Sequence, residues 1–135
     1  MRHWLVKSEP DTYAYSDLER DGVGTWDGVR NHAAAAHLRA MEVGDEVFFY
    51  HSNEGKAVVG IARVTKTAFP DPTDPTGKFV AVEVEPVRPL KTPVTLETMK
   101  ATPALADMVI LRQGRLSVSP ITAGEWKTIL DLGGG

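Results

Sequence analysis

The hydrophobic and polar positions along the chain predict a series of short strands. Residues 2–7 are aromatic and β-branched and predict a first strand. Four further segments are β-branched, aromatic or alternating, which is typical of strands. They are residues 47–52, 57–67, 79–85 and 116–119. Residues 53–55 (NEG) predict a hairpin turn, and the proline-rich residues 70–77 predict an irregular loop.

Helix signals lie between and after these strands. Ser16 and Glu19 are spaced as a capping box, and Gly22 predicts the end of that short helix. Asn31 is a favourable N-cap in front of four alanines, so a helix is predicted from there to about residue 41. Thr122 and Glu125 form a second capping box that opens a last helix. Two single helical turns are predicted at residues 95–100 and 103–107.

Neighbouring strands follow one another without strict strand–helix alternation. This order favours an α+β fold with a curved, largely antiparallel sheet. At 135 residues the chain fits one domain, predicted over residues 1–132, with a disordered tail at 133–135.

The composition narrows the class of protein. The chain has no cysteine, which excludes disulfides, thiol nucleophiles and thiolate metal sites. No apolar run approaches the roughly 20 residues that span a bilayer, and no signal-peptide pattern opens the chain. We therefore expect a cytoplasmic protein without a membrane partner.

The net charge of −3 argues against a protein that grips a long stretch of phosphate backbone. The charge is uneven, however, since residues 86–127 carry six Lys or Arg against three Asp or Glu. The two interpretations are a basic face built by this segment and a set of simply solvated charges.

Catalytic patterns are missing from the sequence. His32 and His37 are five residues apart and do not share a helix face, so no metal site is expected. None of the serines lies in a nucleophile elbow, and neighbours such as His51 and Ser52 point to opposite faces of a strand. We expect neither a metal nor another cofactor, and no enzymatic activity.

What remains is a scattered set of aromatic and polar residues, each with a structural alternative. Trp4 and Tyr50 fit a sheet core, Asn31 fits a plain N-cap, and Arg30 fits an ion pair with Asp27.

Five stretches nevertheless resemble EVE domains, and they occur in the order found in that family. They are residues 4–10 (WLVKSEP), 26–31 (WDGVRN), 41–45 (MEVGD), 49–52 (FYHS) and 115–120 (RLSVSP). The match extends over nearly the whole chain. The resemblance implies a PUA-like pseudo-β-barrel flanked by short helices, a pocket that receives a nucleobase, and an association with modified DNA or RNA.

A base-binding pocket needs a stacking surface and hydrogen bonds to the base edge. We assign the stacking wall to Trp26, with Trp4 or Tyr50 beside it. Asn31 carries both a donor and an acceptor and suits a base edge that presents both. The hydroxyls assigned to the remaining edge contacts belong to Ser8, Ser52 and Ser117. The cations assigned to phosphate or carbonyl groups are Lys7, Arg30 and Arg115. His51 fits either the pocket or an internal hydrogen bond.

Three functions compete at this point. The first is a non-catalytic module that captures a flipped-out, modified (for example methylated) base of DNA or RNA. The second is a module for a free nucleobase, nucleoside or similar heterocycle, which the acidic net charge slightly favours. The third is an enzyme acting on modified bases, which the missing metal and triad patterns oppose.

Overall fold

The computed structural model of the chain describes residues 2–53 and 55–134. Within them, six strands named β1 to β6 in chain order cover His3–Ser8, Gly24–Trp26, Glu46–His51, Ala57–Pro70, Val80–Thr95 and Val118–Ile121. Five helices named α1 to α5 cover Tyr15–Asp21, His32–Ala40, Leu96–Lys100, Val109–Arg112 and Ala123–Leu132. A 3₁₀-helix covers Pro103–Leu105.

The six strands form one sheet in the order β2-β5-β4-β3-β1-β6. β1 and β3 run parallel, and the other four neighbouring pairs are antiparallel. The register shifts within the β3–β4 and β4–β5 pairs, and such irregularities bend strands. β2 and β6 are the two edges, so the sheet is not closed. The predicted α+β class, with a mostly antiparallel sheet and short flanking helices, is confirmed.

Each face of the sheet carries its own hydrophobic core, because successive side chains on a strand point to opposite faces. Trp4 on β1 and Phe49 on β3 belong to the core beneath α1 and α2, which we call the cleft-side face. Leu5 and Phe48, one position along, belong to the core beneath α5, which we call the far face. Trp126 on α5 closes that second core.

Of the three helix starts predicted from N-cap signals, two are confirmed and one is wrong. The Asn31 side chain accepts a hydrogen bond from Ala34 N at 3.0 Å and caps α2. Thr122 caps α5 through the predicted capping box. Ser16, by contrast, is the second residue of α1, since the carboxylate of Asp17 accepts from Ala14 N at 2.8 Å and moves the N-cap to Ala14.

The strand predictions fail where tertiary contacts extend or create a strand. Trp26, predicted to lie in a loop, ends the three-residue edge strand β2, which pairs with Val82–Val84. β5 continues far beyond the predicted residue 85 and passes through three prolines. Beyond Val84 it pairs only with β4, and proline is tolerated in strands that have one neighbour.

The C-terminal region differs in detail from the sequence analysis. β6 lies two residues later than the predicted strand, and α4 was not predicted. Gly133 is the C-cap of α5, and its carbonyl accepts from Thr92 N at 3.1 Å. Gly135, the last residue of the predicted tail, and Glu54, at the centre of the predicted hairpin turn, lie outside the described residues. In the part of the chain that the structure describes, no helix is both long and apolar enough to cross a membrane.

Candidate functional site

A cleft of about 620 Å³ lies where the sheet fails to close. One side is the end of the edge strand β2, and the other is the end of β1 with Ser117, the residue next to edge strand β6. Its volume falls within the roughly 300–1,000 Å³ typical of small-ligand pockets. The lining residues are Lys7, Ser8, Thr12, Tyr13, Thr25, Trp26, Asp27, Gly28, Val29, Arg30, Asn31 and Ser117.

The loop 27–31, which forms one wall, is held by the buried carboxylate of Asp71. Oδ2 of Asp71 accepts from Gly28 N at 2.8 Å and from Arg30 Nη1 at 3.0 Å. Oδ1 accepts from both the backbone N–H and the hydroxyl of Thr73 at 2.7 Å. Gly28 has a φ of +76°, a conformation that side chains disfavour, and this turn aims its N–H at Asp71. The proline-rich loop therefore anchors the cleft wall.

The carboxylate of Asp71 stays ionised over a wide pH range. Burial alone would raise its pKa, but the donors from Thr73, Gly28 and Arg30 outweigh burial and hold the pKa at about 2. Its side chain is 0% exposed, so these hydrogen bonds are shielded from water. The ion pair of Arg30 is thus with Asp71 and not with Asp27, the partner considered from the sequence.

Most contacts of the Arg30 side chain are with the loop that anchors the cleft wall. Besides Asp71, its Nη2 donates to the hydroxyl of Thr73 at 3.0 Å, and its guanidinium lies 5.4 Å from the centre of the Phe79 ring. Its side chain remains 42% exposed at the cleft rim. Arg30 can therefore contact a ligand only from a position fixed by the neighbouring loop.

Asn31 presents a donor to the cleft. Its Oδ1 accepts from Ala34 N in the N-cap of α2, which orients the carboxamide. No described residue accepts a hydrogen bond from Nδ2, so its two hydrogens can bond to a ligand acceptor. From the sequence, both the amide donor and the amide acceptor of Asn31 could bind a base. In the structure the N-cap uses the acceptor, which leaves the donor for a ligand.

Trp26 forms the floor of the cleft. It is only 8% exposed, and its ring packs edge-to-face on Phe49 with centroids 5.2 Å apart. Tyr13, half-buried on the opposite loop, adds a second aromatic ring, and its hydroxyl donates to Asp21 Oδ2 at 3.1 Å. Burial and then the Asp21 carboxylate raise the pKa of Tyr13 to about 12, so the phenol is neutral at pH 7.

Lys7, Ser8 and Ser117 complete the polar lining near the end of β1. Lys7 Nζ donates to the carbonyl of Gly114 at 2.6 Å, which leaves two ammonium hydrogens for a ligand. Burial lowers the pKa of Lys7. Ser8 Oγ donates to the carbonyl of Tyr13 at 2.7 Å and stabilises the loop that carries Tyr13.

Five residues assigned from the sequence lie outside this cleft. Trp4 is 2% exposed, and its Nε1 donates to the buried Asp45 at 3.0 Å. His51 Nε2 accepts from Tyr15 N at 3.1 Å, which makes its role an internal hydrogen bond. The other three are Tyr50 and Ser52, which line a separate cavity of about 210 Å³ that shares Lys7, and Arg115, which is exposed.

Half of the residues that line the cleft were not predicted from the sequence. Thr25, Asp27, Gly28 and Val29 lie within or beside the singled-out stretch 26–31, so its continuity was a usable signal. Thr12 and Tyr13 lie in the loop that follows Ser8, whose hydroxyl bonds to the Tyr13 carbonyl, but they were not assigned to the site. The anchor Asp71 lies 41 residues from Arg30, and the fold brings the two together. Among the described residues, no group of three or more His, Asp or Glu side chains is placed to hold a metal ion.

The chain is similar in sequence and in structure to known proteins. The sequence model of the EVE domain matches residues 2–132. Human thymocyte nuclear protein 1 is 35% identical over 164 aligned positions, which cover 96% of this chain and 73% of the human protein. A protein from Rhodopseudomonas palustris, solved by NMR, is 51% identical with a TM-score of 0.94 over 99% of this chain and 94% of its own.

One solved relative contains a ligand. The human THYN1 protein, crystallised in complex with DNA containing 5-methylcytosine, is 31% identical and superposes with a TM-score of 0.92. The match covers 100% of this chain and 99% of that one. These similarities confirm the PUA-like fold that the sequence motifs implied.

Proposed function

Because the chain belongs to the EVE domain family, we propose that it is a DNA-binding module that captures a modified base, such as 5-methylcytosine, in the cleft between β2 and β6. The observation that carries this proposal is the cleft itself, which combines an indole floor, an oriented amide donor and the ammonium of the half-buried Lys7. The 5-methylcytosine DNA in the complex of the human relative supports the same ligand class.

We assign distinct contacts to the cleft residues. Nδ2 of Asn31 donates to an acceptor on the base edge, and the Ser117 hydroxyl provides a second polar contact. The base packs between the exposed edge of Trp26 and the ring of Tyr13. Lys7 contacts the neighbouring phosphate.

The energetics favour capture of an extruded base. Removing a base from a duplex costs a few kcal/mol, and aromatic stacking returns about 1–3 kcal/mol. Burial of one methyl group contributes about 0.8 kcal/mol, or roughly fourfold in affinity. A larger preference for the methylated base requires a polar group or a shape that excludes the unmodified one.

Binding rather than catalysis fits the hydrogen bonds of the candidate catalytic groups. His51 uses Nε2 to accept from Tyr15 N, so the lone pair that a general base needs is occupied. None of the relatives described above is named as an enzyme. The cytoplasmic location stays a prediction, and the human relative is named a nuclear protein.

The test is fluorescence anisotropy with a 12-nucleotide single strand that contains one 5-methylcytosine or one cytosine. Asn31→Asp keeps an N-cap acceptor for α2 but removes the amide donor, so we expect about tenfold weaker binding. Thr122→Asp is the matched control, since it places the same charge at the N-cap of α5, outside the cleft, and should bind like wild type. Trp26 is a poorer choice because its burial couples binding to stability.

Further measurements decide whether Asn31 binds the base and whether the ligand is DNA or a free base. Neutral 5-methyldeoxycytidine should show the same loss in Asn31→Asp, which separates the lost hydrogen bond from repulsion between carboxylate and phosphate. If neither oligonucleotide binds wild-type protein, or Asn31→Asp binds as tightly as Thr122→Asp, the assignment is wrong. Binding of the oligonucleotide that does not change with salt would favour a module for the free base.

A further inference from the structure

Three hollows on the surface form a series in which each shares lining residues with the next. The base-binding cleft shares Lys7 with the cavity of about 210 Å³. That cavity in turn shares Lys56 and Leu96 with a third hollow of about 390 Å³, which extends to Lys100. The series therefore leads away from the cleft, past the turn after β3, to helix α3.

A lysine stands along each part of this series. Lys7 Nζ is bonded to a carbonyl and not to a carboxylate. Within residues 2–53 and 55–134, Lys56 and Lys100 form no ion pair with an acidic side chain, although Glu97 also lines the third hollow. In a chain of net charge −3, Lys7, Lys56 and Lys100 thus form a run of cations for which the described residues provide no ion-paired carboxylate.

The walls between the lysines are partly apolar. Tyr50 and Ile110 line the middle cavity with 3% and 4% of their surface exposed, and the half-buried Leu96 lines both the middle and the third hollow. Apolar walls combined with ammonium groups are typical of channels for single-stranded nucleic acid, in which sugars and bases pack while cations contact the phosphates.

We propose that the three hollows form one groove that holds the DNA strand flanking the captured base, with Lys7, Lys56 and Lys100 contacting successive parts of its backbone. The proposal rests on the base-binding function of the cleft. It resolves the conflict between an acidic protein and an anionic ligand, because the contacts are confined to one short basic track.

The experiment measures binding of a 15-nucleotide single strand with a central 5-methylcytosine over a series of KCl concentrations. Lys56→Gln and Lys100→Gln should each reduce the slope of log K against log salt by about 0.7, which corresponds to about fivefold weaker binding at 0.1 M salt. The double variant should show the sum of both effects. The loss should shrink as the strand is shortened to three nucleotides around the modified base.

Lys127→Gln is the matched control, because Lys127 is exposed on α5 and lines none of the three hollows. Thermal unfolding of each variant checks that the fold is intact. If Lys56→Gln and Lys100→Gln match Lys127→Gln while wild type still prefers the methylated strand, the groove is wrong and the base-binding function stands. If wild type binds no methylated strand of any length, both proposals are wrong.

Discussion

The cleft-side face and the far face of the sheet bury aromatic side chains of similar size but differ in what surrounds them. On the far face, Trp126 stacks on Phe48 with ring centres 3.8 Å apart, and His3 packs beside it. On the cleft-side face, the aromatic core adjoins the buried carboxylates of Asp45 and Asp71. The far face is covered by apolar contacts, whereas on the cleft-side face buried carboxylates hold the neighbouring loops through hydrogen bonds.

This difference suggests that the far face mainly stabilises the fold, whereas the cleft-side face holds the loops that line the cleft. Asp45 accepts from Trp4 Nε1, Arg2 N and Glu42 N. Burial would raise its pKa, but these donors outweigh burial and lower it, and the carboxylate fixes the turn before β3. Polar anchors of this kind keep loops ordered beside an open cleft without filling it. Four predictions test whether the two faces are as distinct as this.

The largest effect is expected on the far face. Trp126→Ala removes a nearly buried side chain that stacks on Phe48, so the free energy of unfolding should fall by about 3–5 kcal/mol. Urea denaturation measures this loss. Binding of methylated DNA by the fraction that remains folded should be unchanged. A parallel loss of affinity would show that the two faces are coupled.

An intermediate effect is expected for the anchor of the cleft wall. Asp71→Asn replaces one acceptor oxygen by an NH₂ group that must face N–H or O–H donors, so stability should fall by about 1.5–3 kcal/mol and affinity by about tenfold. Asp74→Asn is the matched control, because Asp74 accepts from Thr76 and Phe79 in the same loop but does not bond to residues 27–31. It should lower stability with little change in affinity.

The same aspartate predicts a pH dependence. The folded pKa of about 2 lies below the ordinary 3.8, so the stabilisation from Asp71 is complete above about pH 4 and is lost as the pH falls toward 2. Urea midpoints at pH 5, 4, 3 and 2 should decline less steeply in Asp71→Asn than in wild type. Equal slopes would mean that Asp71 does not carry this stabilisation.

The smallest effect compares one helix cap on each face. Asn31→Ala on α2 and Thr122→Ala on α5 each remove an N-cap acceptor, so both should lower stability by about 1 kcal/mol. Only Asn31→Ala should also weaken binding of 5-methyldeoxycytidine, as isothermal titration calorimetry can measure. Equal affinity in the two variants would show that Asn31 does not contact the ligand.

The features that were predicted correctly are local in sequence. The caps Asn31 and Thr122 each bond to a backbone N–H three residues further on, so neighbouring residues suffice to specify them. Strand β2 was missed because its three residues pair with β5, more than 50 positions later, and have no alternation of their own. The partner of Arg30 was missed because Asp71 lies 41 residues away.

The sequence by itself determined the α+β class, the starts of α2 and α5, the family, and the stretch 26–31 as part of the candidate cleft. Only the tertiary structure decided which aromatic residues line the cleft. Period-two alternation places Trp4 and Leu5 on opposite faces of a sheet, but it does not say where the sheet stays open. That opening is set by how β2 and β6 end at the two edges, so Trp26 and Tyr13 line the cleft while Trp4 is buried against Asp45.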